Sequence, residues 1–185
     1  AIAAGNCAVL KPSECAPATA AAVQTMLADT FSPDFITTVT GDAATSRALL
    51  DESWDKIFFT GGTATGRAVM TAAAAKLTPV TLELGGKCPC IVLADAPIET
   101  TARRIAWGKF LNAGQTCVAP DHLWVDHTIA NDLIAAIQRA IHAFYGENPR
   151  LSPDYGRIIN TRHHERLKAY LGDGQVVLGG DHDAA

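Results

Sequence analysis

Short strand-like runs alternate with longer helix-like runs through the first half of the chain, and this alternation is the feature that most constrains the fold. The strand-like runs are residues 7–11, 35–40, 56–60 and 80–84. The helix-like runs between them are residues 16–30, 42–52 and 65–76. Because parallel strands need crossover helices, the pattern predicts an α/β protein whose mostly parallel, Rossmann-like sheet is covered on both faces.

The second half continues the alternation with longer helices. Ile129, Leu133, Ile137 and Ile141 lie four residues apart, which predicts a helix that buries one apolar stripe. The other predicted elements are a strand at 90–94, helices at 98–111 and 164–171, and a strand at 175–178.

Two glycines, Gly85 and Gly86, interrupt the pattern and indicate a change of domain. We expect residues 1–84 and residues 85–185 to belong to two different domains. The chain lacks an initiator Met and opens on what resembles the last turn of a helix. It is therefore expected to be an internal fragment.

Composition narrows the possible partners. The 19 acidic and 15 basic residues give a net charge of −4, and no stretch concentrates Lys and Arg into a basic stripe, which argues against nucleic acid binding. No apolar run approaches the roughly 20 residues needed to cross a bilayer. The five Cys residues favour reduced thiols in the cytoplasm, although a missing C-terminal tail would leave room for a membrane anchor. The six His residues show no metal-ligand spacing, so no metal site is expected.

A glycine-rich turn follows the third predicted strand and precedes a predicted helix. Backbone N–H groups at Gly61, Gly62 and Gly66 would approach a pyrophosphate closely, and the helix dipole would favour the anion. A plain strand-to-helix turn that needs glycine for its backbone explains the same residues equally well.

Lys11 and Glu14 follow the first predicted strand, and ligands collect at strand ends in doubly wound sheets. The Lys would donate to one ribose hydroxyl and the Glu would accept from another. The alternative is a solvated loop in which Ser13 is only a capping residue.

Glu83 lies in an apolar strand, where a carboxylate must be paired, face water or have a raised pKa. Partial burial would raise the pKa and suit a general base. A structural ion pair with Lys87 is the alternative.

Cys117 differs from the other cysteines because it lies in a glycine-rich, polar loop after a long helix. A lone Cys is usually a small buried apolar residue, and Cys7 is interpreted in that way, whereas Cys15 is expected at the surface. Cys88 and Cys90 are too close for a C-x-x-C redox pair.

The motifs together resemble the aldehyde dehydrogenase superfamily over the whole chain. In order, they are Lys11-Pro12-Ser13-Glu14, Phe59-Thr60-Gly61, Glu83-Leu84-Gly85-Gly86-Lys87 and Gly114-Gln115-Thr116-Cys117. The class 3 and fatty-aldehyde branch is the most similar, through Arg104 to Phe110, Cys117 to Asp121 and Asp154 to Asn160.

The resemblance implies oxidation of an aldehyde to a carboxylate with NAD(P)⁺. It also implies that residues 1–84 are part of the cofactor domain and residues 85–185 part of an α/β catalytic domain, both incomplete. Cys117 would form a hemithioacetal and then a thioester, and Glu83 would activate the water that hydrolyses the thioester. Glu14 would repel a 2′-phosphate, which favours NAD while leaving NADP possible. The matching cofactor-binding positions are Lys11, Ser13, Glu14, Gly61, Gly62, Thr63, Gly66 and Leu84.

One departure and two gaps qualify this resemblance. Gly62 stands where the family commonly has Ser, so a hydroxyl contact to the phosphate is lost. The family's oxyanion Asn would precede Ala1 and its nicotinamide-ribose segment would follow Ala185, so the fragment alone is expected to be inactive. A homodimer is expected for the full-length protein. The competing functions are a thiol esterase or acyltransferase, and an inactive truncated product.

Overall fold

The computed structural model describes residues 1–183 and divides the chain into two compact units, with the break between Glu83 and Leu84. Both units combine β-strands with α-helices, and both contain parallel strand pairs, which confirms the α/β class. Each unit is described below by itself.

The first unit opens with a strand, a crossover helix and a second strand. Strand β1 (Ala8–Leu10) lies parallel to β2 (Ile36–Thr38), and α1 (Pro17–Thr30) connects them. A proline at the first position of α1 suits a helix start because its missing N–H would have no helical partner there. Ala20 on α1 and Ile36 on β2 are buried, so the helix covers this strand pair.

The rest of the first unit is a second strand pair with its own helices. Helix α2 (Ala43–Leu50) begins after Asp42, whose carboxylate accepts hydrogen bonds from two backbone N–H groups. Strand β3 (Ile57–Gly61) pairs with β4 (Val80–Leu84), and α3 (Thr63–Ala74) joins them. The buried residues of α3 are Gly66, Val69 and Ala73.

The second unit is built around one parallel strand pair and two long helices. Strand β5 (Pro89–Val92) is followed by α4 (Ile98–Phe110), and β6 (His122–Val125) is followed by α5 (Ala130–Tyr145). One face of the strand pair packs on both helices. The buried residues of this core are Val92, Ala102, Ile105, Leu133 and Ala136.

Within residues 1–183, the opposite faces of the strands carry exposed side chains. Ile91 and Trp124, which are paired across β5 and β6, are 71% and 67% exposed. Phe58 on β3 is 66% exposed. The reason is that side chains alternate along a strand, and the helices described here cover one face of β5 and β6.

Three other elements differ from the sequence prediction. Residues 175–178 form no strand in the structure, because an apolar run becomes a strand only when a neighbouring strand satisfies its backbone. Conversely, β6 was not predicted, although Leu123 and Val125 alternate with more exposed neighbours. Helix α6 (Thr161–Ala169) begins three residues earlier than expected, since Asn160 caps it by accepting the His163 N–H.

Within the described residues, no helix is both long enough and apolar enough to cross a membrane.

Candidate active site and nucleotide site

Lys11 and Glu14 form an ion pair just beyond the end of β1. Lys11 Nζ lies 2.8 Å from Glu14 Oε2, and the Lys11 side chain is 16% exposed while that of Glu14 is 49% exposed. The hydrogen bond from Lys11 is the main cause that lowers the pKa of Glu14 below its usual value. The pair therefore presents one ammonium and one ionised carboxylate side by side.

Ser13 shapes the turn that carries this pair. Its hydroxyl oxygen accepts the Cys15 N–H at 3.2 Å within the turn. Helix α1 begins after Ala16 without a side-chain cap, so Ser13 does not have the capping role considered for it. Ser13 and Glu14 also line a cavity of about 350 Å³ with Thr40 and Gly41, which follow β2. The cavity thus lies at the carboxyl ends of two parallel strands, the usual ligand position in such sheets.

The glycine-rich turn joins β3 directly to α3. Gly62 is the N-cap residue with no side-chain cap, and Thr63 is the first helical residue. The first N–H groups of a helix have no intrahelical acceptor, so this turn offers donors to an anion. A Cβ built on Gly62 meets nothing within 4 Å. The space beside Gly62 would therefore admit a side chain.

Glu83 and Leu84 end β4. Glu83 is exposed, so the partial burial expected for it is wrong in this structure, because its side chain falls on the open side of the alternating strand. The alternative ion pair with Lys87 does not form, since Lys87 Nζ lies 3.1 Å from Asp121 Oδ2.

A left-handed loop precedes the candidate nucleophile. Asn112 and Ala113 have φ values of 53° and 54°, and Gly114 follows with 77°. The left-handed conformation costs a non-glycine residue about 1–2 kcal/mol. A Cβ on Gly114 would lie 2.9 Å from the Lys109 carbonyl oxygen, so this position requires glycine for space as well as conformation.

Cys117 lies on the tight turn that follows this loop. The Ala119 N–H donates to the Thr116 carbonyl at 3.1 Å, which closes the turn around Cys117 and leaves its side chain exposed. Exposure alone does not distinguish Cys117, because Cys15 is exposed as expected and Cys7 is also exposed. The interpretation of Cys7 as a core residue is wrong, since β1 begins only at the next residue.

Asp121 is a site residue that sequence reasoning missed. Its Oδ1 accepts the Cys88 N–H at 3.1 Å and lies 2.6 Å from His122 Nδ1, while Oδ2 faces Lys87. The hydrogen bond with His122, followed by those with Lys87 and the Cys88 N–H, lowers the pKa of Asp121 to about 2. The sequence feature that could have pointed to Asp121 is its position immediately after Pro120, which ends the Cys117 loop.

The Cys117 loop is also connected to the start of β5. The Cys88 thiol donates to the Cys117 carbonyl oxygen at 3.1 Å, and the Asp121 N–H donates to the Cys88 carbonyl at 3.1 Å. Together with the bond from the Cys88 N–H to the Asp121 carboxylate, these bonds attach the turn to Cys88 at both Cys117 and Asp121.

The structure divides the predicted residues between the two units, with the residues up to Glu83 in the first unit and Leu84 and Cys117 in the second. Lys11, Ser13 and Glu14 share one turn, while the glycine turn follows β3, the partner strand of β4. Cys117 belongs to the second unit and Glu83 to the first. Among residues 1–183, no group of three or more His, Cys, Asp or Glu side chains is arranged to hold a metal ion.

Comparison with known protein families identifies the family of this chain. The model of the "Aldehyde dehydrogenase family" matches residues 1–183. The chain therefore belongs to the aldehyde dehydrogenase family.

Its curated relatives agree with the predicted class 3 branch. The chain is 50% identical to a 4,4′-diapolycopene-4,4′-dial dehydrogenase of Cytobacillus firmus, over 99% of this chain and 40% of the relative. It is 49% identical to aldehyde dehydrogenase family 3 member B1 of Rattus norvegicus, over 99% and 39%. It is 46% identical to a dimeric NADP-preferring aldehyde dehydrogenase of Canis lupus familiaris, over 100% and 41%. The chain thus spans about 40% of the length of the relatives it matches.

Solved structures confirm the fold. AldH of Staphylococcus aureus in a substrate-bound state has a TM-score of 0.91 and 43% identity, covering 98% of this chain and 40% of that one. A Mycobacterium tuberculosis aldehyde dehydrogenase complexed with NAD⁺ has a TM-score of 0.85 and 30% identity, covering 98% and 39%.

Proposed function

We propose that this chain is part of an NAD(P)-dependent enzyme that oxidises an aldehyde to a carboxylate, with Cys117 as the nucleophile and Glu83 as the general base. The observation that carries the proposal is the exposed Cys117 thiol on a tight turn, directly after a left-handed loop, in a chain of this family. A thiol held in this way is accessible to a carbonyl carbon.

The nucleotide is proposed to bind the first unit. Lys11 and Glu14 offer a donor and an acceptor for ribose hydroxyls at the cavity of about 350 Å³. The open side of Gly62 lets a pyrophosphate approach the first N–H groups of α3. Glu14 would repel a 2′-phosphate, but the Lys11 ammonium offsets part of that charge, so NAD is favoured and NADP remains a second cofactor. The other proposed cofactor contacts are Ser13, Gly61, Thr63, Gly66 and Leu84.

The chemistry follows from the two side chains. The Cys117 thiolate adds to the aldehyde carbon, a C–S bond forms, and the carbonyl electron pair moves to oxygen to give a hemithioacetal. The nicotinamide, when bound, supplies the hydride acceptor that makes this an oxidation. Cys117 then carries the acyl group as a thioester. Glu83 removes a proton from water, the resulting hydroxide adds to the thioester carbon, and the C–S bond breaks to release the carboxylic acid and the thiolate. The acid then gives its proton to solvent and leaves as carboxylate.

The substrate class and assembly are proposed at the level that the relatives support. Aldehydes are proposed as substrates because the relatives are named for aldehyde oxidation. A homodimer is proposed because the canine relative is named as dimeric. Light scattering of the protein expressed from its complete coding sequence tests the assembly directly.

Replacing the thiol tests the function. In the protein expressed from its complete coding sequence, Cys117→Ser is expected to abolish aldehyde-dependent NADH formation, because a neutral hydroxyl is a far weaker nucleophile than a thiolate. With limiting iodoacetamide, peptide mapping should find Cys117 labelled first.

Cys7→Ser is the matched control, since Cys7 is equally exposed and has no proposed role. It should retain turnover within about twofold of wild type, as surface substitutions usually do. Full NADH formation by Cys117→Ser would contradict the proposal. Cys117-dependent thioester hydrolysis without any aldehyde oxidation would instead support a thiol esterase.

A further inference from the structure

The side chain of Gln115 links the left-handed loop before Cys117 to a distant segment of the chain. Its Nε2 donates to the Asn112 carbonyl at 3.0 Å and to the Arg157 carbonyl at 3.0 Å. Its Oε1 accepts the Ile159 N–H at 2.9 Å. Both amide hydrogens and the carbonyl oxygen of this side chain are thus used, and two of the three bonds reach residues more than 40 positions away.

The backbone of Gln115 closes the same loop. Its N–H donates to the Asn112 carbonyl at 3.1 Å, and its carbonyl accepts from Asn112 Nδ2 at 3.2 Å. Asn112 and Ala113 occupy a conformation that non-glycine residues avoid, and such residues persist only where their surroundings determine them. The Gln115 contacts hold Asn112 and Ala113 in this conformation, and Gln115 lies two residues before Cys117.

The segment that Gln115 contacts is itself well supported. The Arg157 guanidinium donates to the Tyr155 carbonyl at 2.7 Å and to the Arg150 carbonyl at 2.6 Å. The Tyr155 ring packs on the Tyr145 ring, with centroids 5.0 Å apart. A Cβ on Gly156 would lie 3.4 Å from the backbone of Asn112 and Ala113, so this segment lies directly against the loop. Residues 155–159 therefore pack against the loop and are themselves held by hydrogen bonds and aromatic packing.

We infer that Gln115 is a positioning residue that sets the orientation of the Cys117 thiol by bridging its loop to residues 157–159. The inference rests on the proposed role of Cys117 as the nucleophile. Gln115 touches neither the reacting atoms nor the nucleotide in this scheme, and it acts only through the backbone that carries Cys117. Its removal should lower the rate of the chemical step and leave nucleotide binding unchanged, because all the proposed nucleotide residues except Leu84 belong to the other unit and Gln115 makes no hydrogen bond to any of them.

The test uses Gln115→Met in the protein expressed from its complete coding sequence. Met has a similar length and volume but neither donates nor accepts the three bonds. The kcat per titratable Cys117 thiol should fall about 10- to 100-fold, the range expected when a reacting group is displaced by about an ångström. The KM for the nucleotide should stay within about twofold. Hydrogen exchange at the Ile159 amide should become faster, since it loses its acceptor.

Gln138→Met is the matched control, because Gln138 is exposed on α5 in the same unit. It should leave kcat, the nucleotide KM and the Ile159 exchange rate unchanged. Gln115→Glu is a second variant that keeps the acceptor for Ile159 but loses both donors. Its kcat should lie between those of wild type and Gln115→Met, and it also covers the case in which the Met variant fails to fold.

The outcomes separate this inference from the proposed function. A kcat within about twofold of wild type, with faster Ile159 exchange, would overturn the positioning role and leave the nucleophile intact. Unchanged exchange in Gln115→Met would show that the bridge is absent and would also overturn it. If Cys117→Ser retained turnover, the proposed function would fail and the role of Gln115 would fail with it.

Discussion

The two units hold their candidate functional residues by different kinds of contact. In the first unit, Lys11 pairs with Glu14, three residues along the chain, and Ser13 accepts from the N–H of Cys15, two residues along. In the second unit, the Cys117 turn is bonded to Cys88, 29 residues away, and Gln115 is bonded to Ile159, 44 residues away.

This difference suits the two proposed roles, which are nucleotide binding in the first unit and nucleophilic attack by Cys117 in the second. A nucleotide's ribose and phosphates can be bound by backbone N–H groups and by a local ion pair, which short turns supply. A nucleophilic thiol must instead keep one orientation towards the carbonyl carbon. Contacts from distant segments restrict a loop more than contacts within it, because the loop cannot then move as a whole.

The largest expected effect concerns Glu83, the one proposed reacting group outside the second unit. Glu83→Gln should slow thioester hydrolysis by about 100- to 10,000-fold while a first turnover of NADH still forms, because only the second step needs the base. Rapid mixing would then record a burst close to one NADH per site and a slow steady state. A steady state near wild type without a burst would remove Glu83 from the mechanism and confine catalysis to the second unit.

The left-handed loop should respond strongly to Gly114→Ala. The new Cβ would lie 2.9 Å from the Lys109 carbonyl oxygen, at a φ of 77°. We expect a loss of about 1–2 kcal/mol in unfolding free energy from the conformation alone, together with lower turnover. Urea unfolding measures the first and NADH formation the second. Gly172→Ala is the control, since its Cβ meets nothing within 4 Å; equal effects of both variants would deny the loop a special role.

The local ion pair should affect cofactor choice rather than chemistry. Glu14→Gln removes the carboxylate that would repel a 2′-phosphate and frees the Lys11 ammonium from its partner. The preference for NADP over NAD should rise by about tenfold, the change that corresponds to about 1.4 kcal/mol. The kcat/KM ratio for the two nucleotides measures it. A fall in kcat with an unchanged ratio would show that the first unit does more than bind nucleotide.

The smallest expected effect is on acid stability through Asp121. Its pKa is lowered from 3.8 to about 2 in the folded state, so its stabilising contribution is complete above the unfolded value and is lost as pH falls through the folded one. In urea titrations at several pH values, Asp121→Asn should flatten the loss of unfolding free energy between these two pKa values. Asp132→Asn, on the exposed side of α5, is the control. An unchanged slope for Asp121→Asn would mean that this network does not stabilise the Cys117 turn.

Several features follow from the sequence alone, for reasons that act over short distances. The periodic apolar stripe from Leu133 to Ile141 predicted α5, because side chains four apart share a helix face. The helical turn expected at the start of the chain is also present over Ile2–Ala4, and it ends at Gly5, which has a φ of 78°. Motif order also sufficed to identify the family, because chemistry-bearing residues keep their spacing in the chain.

Other features were decided only by tertiary packing. Exposure of Glu83 depends on which face of β4 is covered, and the alternation of residues does not specify this. The run at 175–178 has the composition of a strand but finds no strand partner within the described residues. The links from Gln115 to residues 157–159 and from Asp121 to Cys88 join positions that no local pattern relates. A hydrogen bond depends on where two atoms lie in space, and for atoms far apart in the chain only the folded arrangement brings them within reach.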